Sequence, residues 1–349
     1  MTKLKEFAKR ETVLTVAWGL ALGSMVLVPP DKHDWTCIDF HTLGLLFSLM
    51  VVMAGLQGLG LFRRLGEVML GHTATTRQLE GVLIFLPFFT GMAVTNDVAL
   101  ITFVPFALEV LRLAGQEARL IPVVSMQTIA ANLGSMTTPI GNPQNLYLYS
   151  HYQLGLRDFF RTMLPLTLGA ALLLLLFLAL EQSVPLAPTW RDRSETLLTD
   201  RNRLRLYGVL FAACLCAVAN GLPVWLLCLL VLASVAAADR TILFRVDYSL
   251  LFTFVGFFLF VGNLGRLPAF SDLFQAALSG HETGCAILIS QIISNVPAAL
   301  LLSGFTQNWK ALLVGTNLGG LGTLIASMAS LISYKYVARS DSSLRGRYL

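Results

Sequence analysis

Two stretches decide how this chain folds: Asn132-Leu133-Gly134-Ser135-Met136-Thr137-Thr138-Pro139-Ile140-Gly141-Asn142 and Asn317-Leu318-Gly319-Gly320-Leu321-Gly322-Thr323-Leu324-Ile325-Ala326-Ser327. They align without a gap, and Asn, Leu, Gly, Thr and Ile recur at five of the positions. Both are rich in glycine and polar groups, yet both lie inside long apolar runs. A repeat of this kind bears on the whole architecture, so it is read first.

Working outward, each stretch follows a second polar interruption. Thr95-Asn96-Asp97 divides the apolar stretch 81–108, and Ser294-Asn295-Val296-Pro297 divides 284–305. Before each of these comes an apolar run opened by an aspartate, Ile38-Asp39-Phe40 in one half and Val246-Asp247-Tyr248 in the other. The order is span, broken hairpin, broken span, twice. Three matches in the same order are hard to obtain by accident.

The surroundings of these motifs are apolar. Of 349 residues, 55% are hydrophobic and 13% are charged, against roughly a quarter charged in soluble domains. Runs such as Ile38 to Phe62 and Leu164 to Leu180 approach or exceed the ~20 residues that cross a bilayer as a helix. Crossings are expected near 12–30, 38–62, 119–150, 158–180, 204–220, 222–239, 247–264 and 311–336. The hydrophobic run after Lys3 to Arg10 has no small-x-small cleavage site and is read as a retained helix.

The fold class is therefore an all-α polytopic membrane protein with two inverted repeats, each carrying a re-entrant helical hairpin and a broken transmembrane helix. Its parts are an N-terminal helix (1–37), a first repeat (38–180), a cytoplasmic linker (181–205), connecting helices (206–246), a second repeat (247–337) and a cytoplasmic tail (338–349). Charge supports the hairpins. With a cytoplasmic N-terminus and both hairpins returning to their own side, 20 of the 25 Lys and Arg lie inside; Lys32, Arg157, Arg161, Arg266 and Lys310 do not. If the first hairpin spanned instead, the arginines from Arg191 to Arg205 would move outside, against the positive-inside bias. Arms of about 11–13 residues, roughly 16–20 Å of helix, also look too short to cross. Five crossings separate Asp39 from Asp247, so the two copies have opposite orientations. The net charge of +5 thus reads as an orientation signal and not as a nucleic-acid surface.

Irregular backbone at membrane depth survives only where protein or a wet cavity satisfies it. Inverted repeats with discontinuous helices place solute and ion sites at the breaks, where half-helix N-termini attract anions and carbonyl ends attract Na⁺. The candidate solute residues are Asn96, Asn132, Thr137, Thr138, Asn142, Ser294, Asn295, Asn317 and Thr323, with Ser135, Gln144 and Asn145 extending the polar wall. Capping of the half-helices competes with binding, and Gly134, Gly319 and Pro139 are read as structural. The coupling-ion candidates are Thr95, Asn96, Asp97 and Asn295. Asp97 is the sharpest of these: an ionisable group at this depth costs a few kcal/mol, and Val296 stands at the corresponding place. It serves as Na⁺ ligand or proton acceptor, or else as an N-cap. Asp39 and Asp247 read as helix caps, and Glu80, Glu109 and Asp272 as solvated groups near the interfaces.

The five histidines show no metal-ligand spacing, the five cysteines show no paired C-x2-C pattern, and no HExxH or GxSxG motif occurs. An enzyme, a cofactor and a metal other than Na⁺ are not expected.

The two tips and two breaks, Val94 to Asp97, Gly134 to Pro143, Ser294 to Pro297 and Thr316 to Gly320, resemble the ion transporter superfamily. That group includes divalent anion/sodium symporters, citrate transporters, arsenite permeases and one type of Na⁺/H⁺ antiporter, and the resemblance covers roughly residues 38–337. Dicarboxylate carriers have Ser-Asn-Thr at both tips; here only Asn96, Asn295 and Ser294 match that pattern, and an Asn-Asp tip is closer to the arsenite and antiporter branch. The resemblance implies a secondary active transporter of a small inorganic or organic anion, coupled to Na⁺ or H⁺. It also implies elevator movement and a homodimer, while the charge pattern puts both ends in the cytoplasm, at the inner (plasma) membrane. The alternatives are a Na⁺/H⁺ antiporter or arsenite-type efflux permease, and, further off, an ion channel.

Overall fold

A computed structural model describes residues 11–71, 73–186, 200–340 and 344–348. The basic cluster from Lys3 to Arg10 and most of the 181–205 linker, with Trp190, lie outside the described residues. So do parts of the C-terminal tail. Within the described residues the chain is helical, with no strand. The helices are α1 (Thr12–Leu27), α2 (His33–Cys37), α3 (Phe40–Gly58), α4 (Leu61–Leu70), α5 (Thr76–Ala93), α6 (Asn96–Leu113), α7 (Leu120–Ser135), α8 (Pro143–His151) and α9 (Leu156–Leu180). After the linker come α10 (Arg201–Val218), α11 (Val224–Ala238), α12 (Tyr248–Gly265), α13 (Pro268–Leu278), α14 (Glu282–Ile293), α15 (Asn295–Ser303), α16 (Trp309–Gly319), α17 (Met328–Ser340) and α18 (Arg345–Tyr348).

By length and composition, α3, α9 and α12 are long and apolar enough to cross a membrane, while α1 and α11 are shorter apolar helices. Their starts follow from side chains. Asp39 accepts the Thr42 amide at 2.9 Å and Asp247 accepts the Leu250 amide at 3.1 Å, so each supplies an N-terminal cap. One group of helices packs through small residues. A Cβ on Gly256 of α12 would lie 3.2 Å from the Ala17 Cβ of α1, and one on Gly55 of α3 would meet the Tyr207 ring of α10. Asn263 closes the α1–α12 contact by donating to Ser24 Oγ at 3.0 Å. Outward-facing leucines on α9, among them Leu168, Leu172 and Leu173 at 61–68% exposure, are apolar surface with no protein cover.

The chain breaks its helices where expected. The first break separates α7 from α8 over residues 136–142; the second separates α16 from α17 over 320–327. Two features differ from the reading of the sequence. The arms α5 and α6 have 18 residues each, not 11–13, because the helices run on beyond the apolar stretch 81–108, α5 starting at Thr76 and α6 ending at Leu113, with Pro87 and Pro105 inside them. At 1.5 Å per residue each arm is about 27 Å long, so length does not separate a hairpin from two crossings there. The arms α14 and α15, with 12 and 9 residues, are short as expected. In addition, the run 38–62 ends at Gly58, and Gly60, at φ 72°, turns the chain into the separate helix α4.

Glu80 also departs from expectation. It is 3% exposed and paired with Arg119, which reaches on to Glu181 at 3.4 Å and to the Gln182 carbonyl at 3.3 Å. This buried pair joins the start of α5 to the start of α7 and the end of α9. Glu109, by contrast, is surface-exposed and bridges Arg63 at 3.1 Å.

Candidate functional site

The two polar tips and the two breaks come together, and they do so by corresponding bonds. The Asn96 amide at the first tip donates to the Gly141 carbonyl at 3.1 Å; the Asn295 amide at the second donates to the Ala326 carbonyl at 2.9 Å. Thr138 Oγ1 donates to the Met92 carbonyl at 2.5 Å, and Thr323 Oγ1 to the Gln291 carbonyl at 3.2 Å. Gly141 aligns with Ala326, Thr138 with Thr323, and Met92 with Gln291 counted from the tip asparagines. Close helix contact is repeated as well: a Cβ on Gly134 would fall on the Phe88 backbone, and one on Gly319 beside Ile287 and Ser290. Both glycines are structural, as the sequence suggests.

Bonds also run between the halves. Asn142 Nδ2 donates to Asn317 Oδ1 at 3.0 Å, and Ser327 Oγ donates to Asn132 Oδ1 at 3.1 Å. Asn142 and Ser327 occupy the same place in the alignment, so each copy's last residue reaches the other copy's first. Asn317 Nδ2 further donates to Asn145 Oδ1 at 2.7 Å, and Asn96 Nδ2 to Asn132 Oδ1 at 2.8 Å. All these side chains are buried, with exposures of 6% or less. A buried amide left unbonded costs about 1–3 kcal/mol, so this mutual pairing holds the four segments together.

The pairing also limits which groups can meet a solute. Asn96 Oδ1 caps the Asp97 amide and Asn142 Oδ1 caps Asn145. Asn295 Oδ1 accepts from Val296, and among the described residues no hydrogen bond engages Asn295 Nδ2. Ser294 sits at φ 79°, in the left-handed region, with its hydroxyl 3.4 Å from the Ala326 carbonyl. Thr137 turns back to the Gly134 carbonyl and to Thr167, and Thr323 is exposed at the edge of the cluster. The structure thus gathers Asn96, Asn132, Asn142, Asn295 and Asn317, and places Thr137 and Thr323 outside the gathering.

Asp97 is differently placed. Thr95 performs the capping, accepting the Val98 amide at 3.4 Å, and Asp97 follows in the first turn of α6. Asp97 Oδ1 is buried without a hydrogen-bond partner. It borders a cavity of about 180 Å³ whose polar lining is Thr95, Asp97, Asn142, Gln57, Arg245 and Asp247; the rest is aliphatic, including Met50, Met53 and Ile140. Two carboxylates and one guanidinium give this lining a net negative charge. Among the described residues no group of His, Cys, Asp and Glu could hold a metal ion.

Sequence reasoning missed Ser327 and Gln291. Ser327 was legible, since it aligns with Asn142. Gln291 was not: it donates to the Gly319 carbonyl at 2.5 Å and accepts from the Thr323 amide at 2.8 Å, but its counterpart is Met92.

The citrate transporter profile CitMHS matches residues 7–329. Inner membrane protein YbiR of Escherichia coli (strain K12) is 32% identical over 329 residues, covering 90% of this chain and 85% of its own. An uncharacterized transporter of Methanocaldococcus jannaschii is 31% identical over 339 residues, covering 97% and 91%. Silicon efflux transporter LSI3 of Oryza sativa subsp. japonica is 30% identical over 155 residues, covering 43% of this chain and 32% of its own. The profile match extends across both tips and both breaks, and the chain belongs to the citrate transporter family of membrane transporters.

Proposed function

We propose that the chain is a secondary active transporter of a small carboxylate or oxyanion, coupled to H⁺ or Na⁺ at Asp97. The observation that carries this is the unpartnered Asp97 oxygen at a cavity that is also lined by Asn142, a member of the hydrogen-bonded asparagine cluster. An ionisable group at membrane depth costs several kcal/mol to keep charged, so its presence there points to function. Asn295 Nδ2 and the Ser294 hydroxyl are the donors available to a solute oxygen, while Asp97 takes the cation. The corresponding bonds support two inverted repeats, with the pairs α5–α6 and α14–α15 as re-entrant hairpins entering from opposite sides. In this reading the tips and breaks move as one body against α1, α3 and α10–α12, in the manner of an elevator. Both chain ends face the cytoplasm at the inner membrane, and the carrier works as a homodimer.

A second reading is favoured by the net negative lining of the cavity and by the name of the rice relative. It is efflux of an uncharged hydroxylated solute, such as arsenous or silicic acid, or Na⁺/H⁺ exchange without a solute. Uptake of citrate, arsenite and silicic acid into proteoliposomes, under an imposed Na⁺ or pH gradient, separates these readings. Asp97→Asn should abolish the gradient dependence in either direction; unchanged coupled transport in that variant removes Asp97 from the mechanism.

A further inference from the structure

Asp247 does more at its cavity than cap a helix. It caps α12 as Asp39 caps α3, but the two differ in detail. Thr42 ties both Asp39 oxygens, giving its amide to Oδ1 at 2.9 Å and its hydroxyl to Oδ2 at 2.5 Å. At the matching position after Asp247 stands Leu250, which offers an amide and no hydroxyl. Asp247 is exposed, whereas Asp97 Oδ1 is wholly buried, and both line the same cavity. The other half lacks this pairing, because the residue matching Asp97 is Val296.

We propose that Asp247 is the proton antenna of Asp97, exchanging protons with water at the cavity mouth and passing them inward. The inference rests on Asp97 as the coupling residue and commits the coupling ion to the proton. A hard cation takes several oxygen ligands; besides the two carboxyls this cavity offers the side-chain oxygens of Gln57, Thr95 and Asn142, of which Thr95 Oγ1 and Asn142 Oδ1 already accept the Val98 and Asn145 amides, and it also holds the Arg245 guanidinium. A cavity of about 180 Å³ has room for a short file of water, whose share of liquid volume is about 30 Å³ each. In the step, an Asp247 carboxylate oxygen takes a proton from bulk water and gives it to the file. The file delivers a proton to Asp97 Oδ1, and Asp247 returns to the carboxylate. The charged groups facing Asp247 are Arg245 and Asp97, which line the same cavity, and Glu11, whose Oε2 accepts from Ser249 at 2.6 Å.

The test needs no solute. Purified full-length protein in lipid, in Na⁺-free buffer, is given a rapid pH jump while the carboxyl C=O infrared band is followed. The band belonging to Asp97 is the one that Asp97→Asn removes. Asp247→Asn keeps the cap, since Asn caps as well as Asp, but cannot carry a proton. The expected result is protonation of Asp97 slowed on the order of 10²-fold, the scale of a positioned proton-transfer group, with the rate restored by azide as a mobile proton carrier. A wild-type rate in Asp247→Asn overturns the antenna, and so does a slow rate that azide leaves slow, which marks a structural effect. If Asp97→Asn removes no band, it is the coupling role of Asp97 that fails.

Discussion

Gly134→Ala tests whether the α5–α7 crossing sets the site. An added Cβ would lie 2.0 Å from the Phe88 carbonyl oxygen, 2.7 Å from its carbon and 2.8 Å from its Cα. All three are backbone atoms, so no side chain can swing away and α5 itself must retreat by an ångström or more. Overpacking of this kind costs about 1–3 kcal/mol, and a rigid neighbour puts Gly134 at the upper end. Alanine recovers up to about 1 kcal/mol of helix propensity, which leaves a net loss of about 2 kcal/mol. Gly169 in α9 provides the control, since nothing lies within 4 Å of its would-be Cβ and the same substitution should be neutral or stabilising. The two variants should therefore differ by about 2–3 kcal/mol for identical chemistry. Thermal unfolding in one detergent, followed by tryptophan fluorescence, reads this as a Tm several degrees lower for Gly134→Ala. Transport should fall too, because the retreat of α5 pulls Met92 away from Thr138. Equal Tm values for the two variants would refute the close crossing.

Further outcomes follow from the same contacts. Asn132→Ala strands the Asn96 amide and the Ser327 hydroxyl, so it should destabilise by about 2–4 kcal/mol, with Ser327→Ala costing roughly half as much; chemical unfolding of the two variants checks the ratio. Glu80→Gln should cost about 1–2 kcal/mol, less than the 3–5 kcal/mol typical of a broken buried pair, because Glu181 and the Gln182 carbonyl still hold Arg119. A Tm loss in Glu80→Gln as large as that of Asn132→Ala would contradict this ordering.

Much of the fold was legible because the repeat is local. Asn132 and Asn317, and the tips at Asn96 and Asn295, keep recognisable neighbours, so a pairwise comparison finds them. The helix starts at Asp39 and Asp247 were legible for the same reason, since a cap depends on a few adjacent residues. Arm length was not, because Arg77, Glu80, Glu109 and Arg112 end the apolar stretch without ending the helices, which run from Thr76 and on to Leu113. Nor was the burial of Glu80, whose partner Arg119 is 39 residues away. Asn96, Asn132, Asn142 and Asn317 could be named from the repeat, but sequence cannot say which amide hydrogens are already spent within their cluster. Thr137, which stands opposite Gly322 in the repeat, turns back to the Gly134 carbonyl and to Thr167, a side-chain direction that the alignment does not show.

The cross-half bonds bear on how the protein is made. Asn142 waits 175 residues for Asn317, and Asn132 waits 195 for Ser327. At about 5–20 residues per second, a ribosome leaves these amides without their final partners for about 10–40 s. During that interval the first half is inserted but polar at its centre, and it depends on water, the insertion machinery or temporary bonds to stay soluble in lipid. The first half therefore reaches the membrane as an unfinished surface, and assembly ends only when the second half closes onto it.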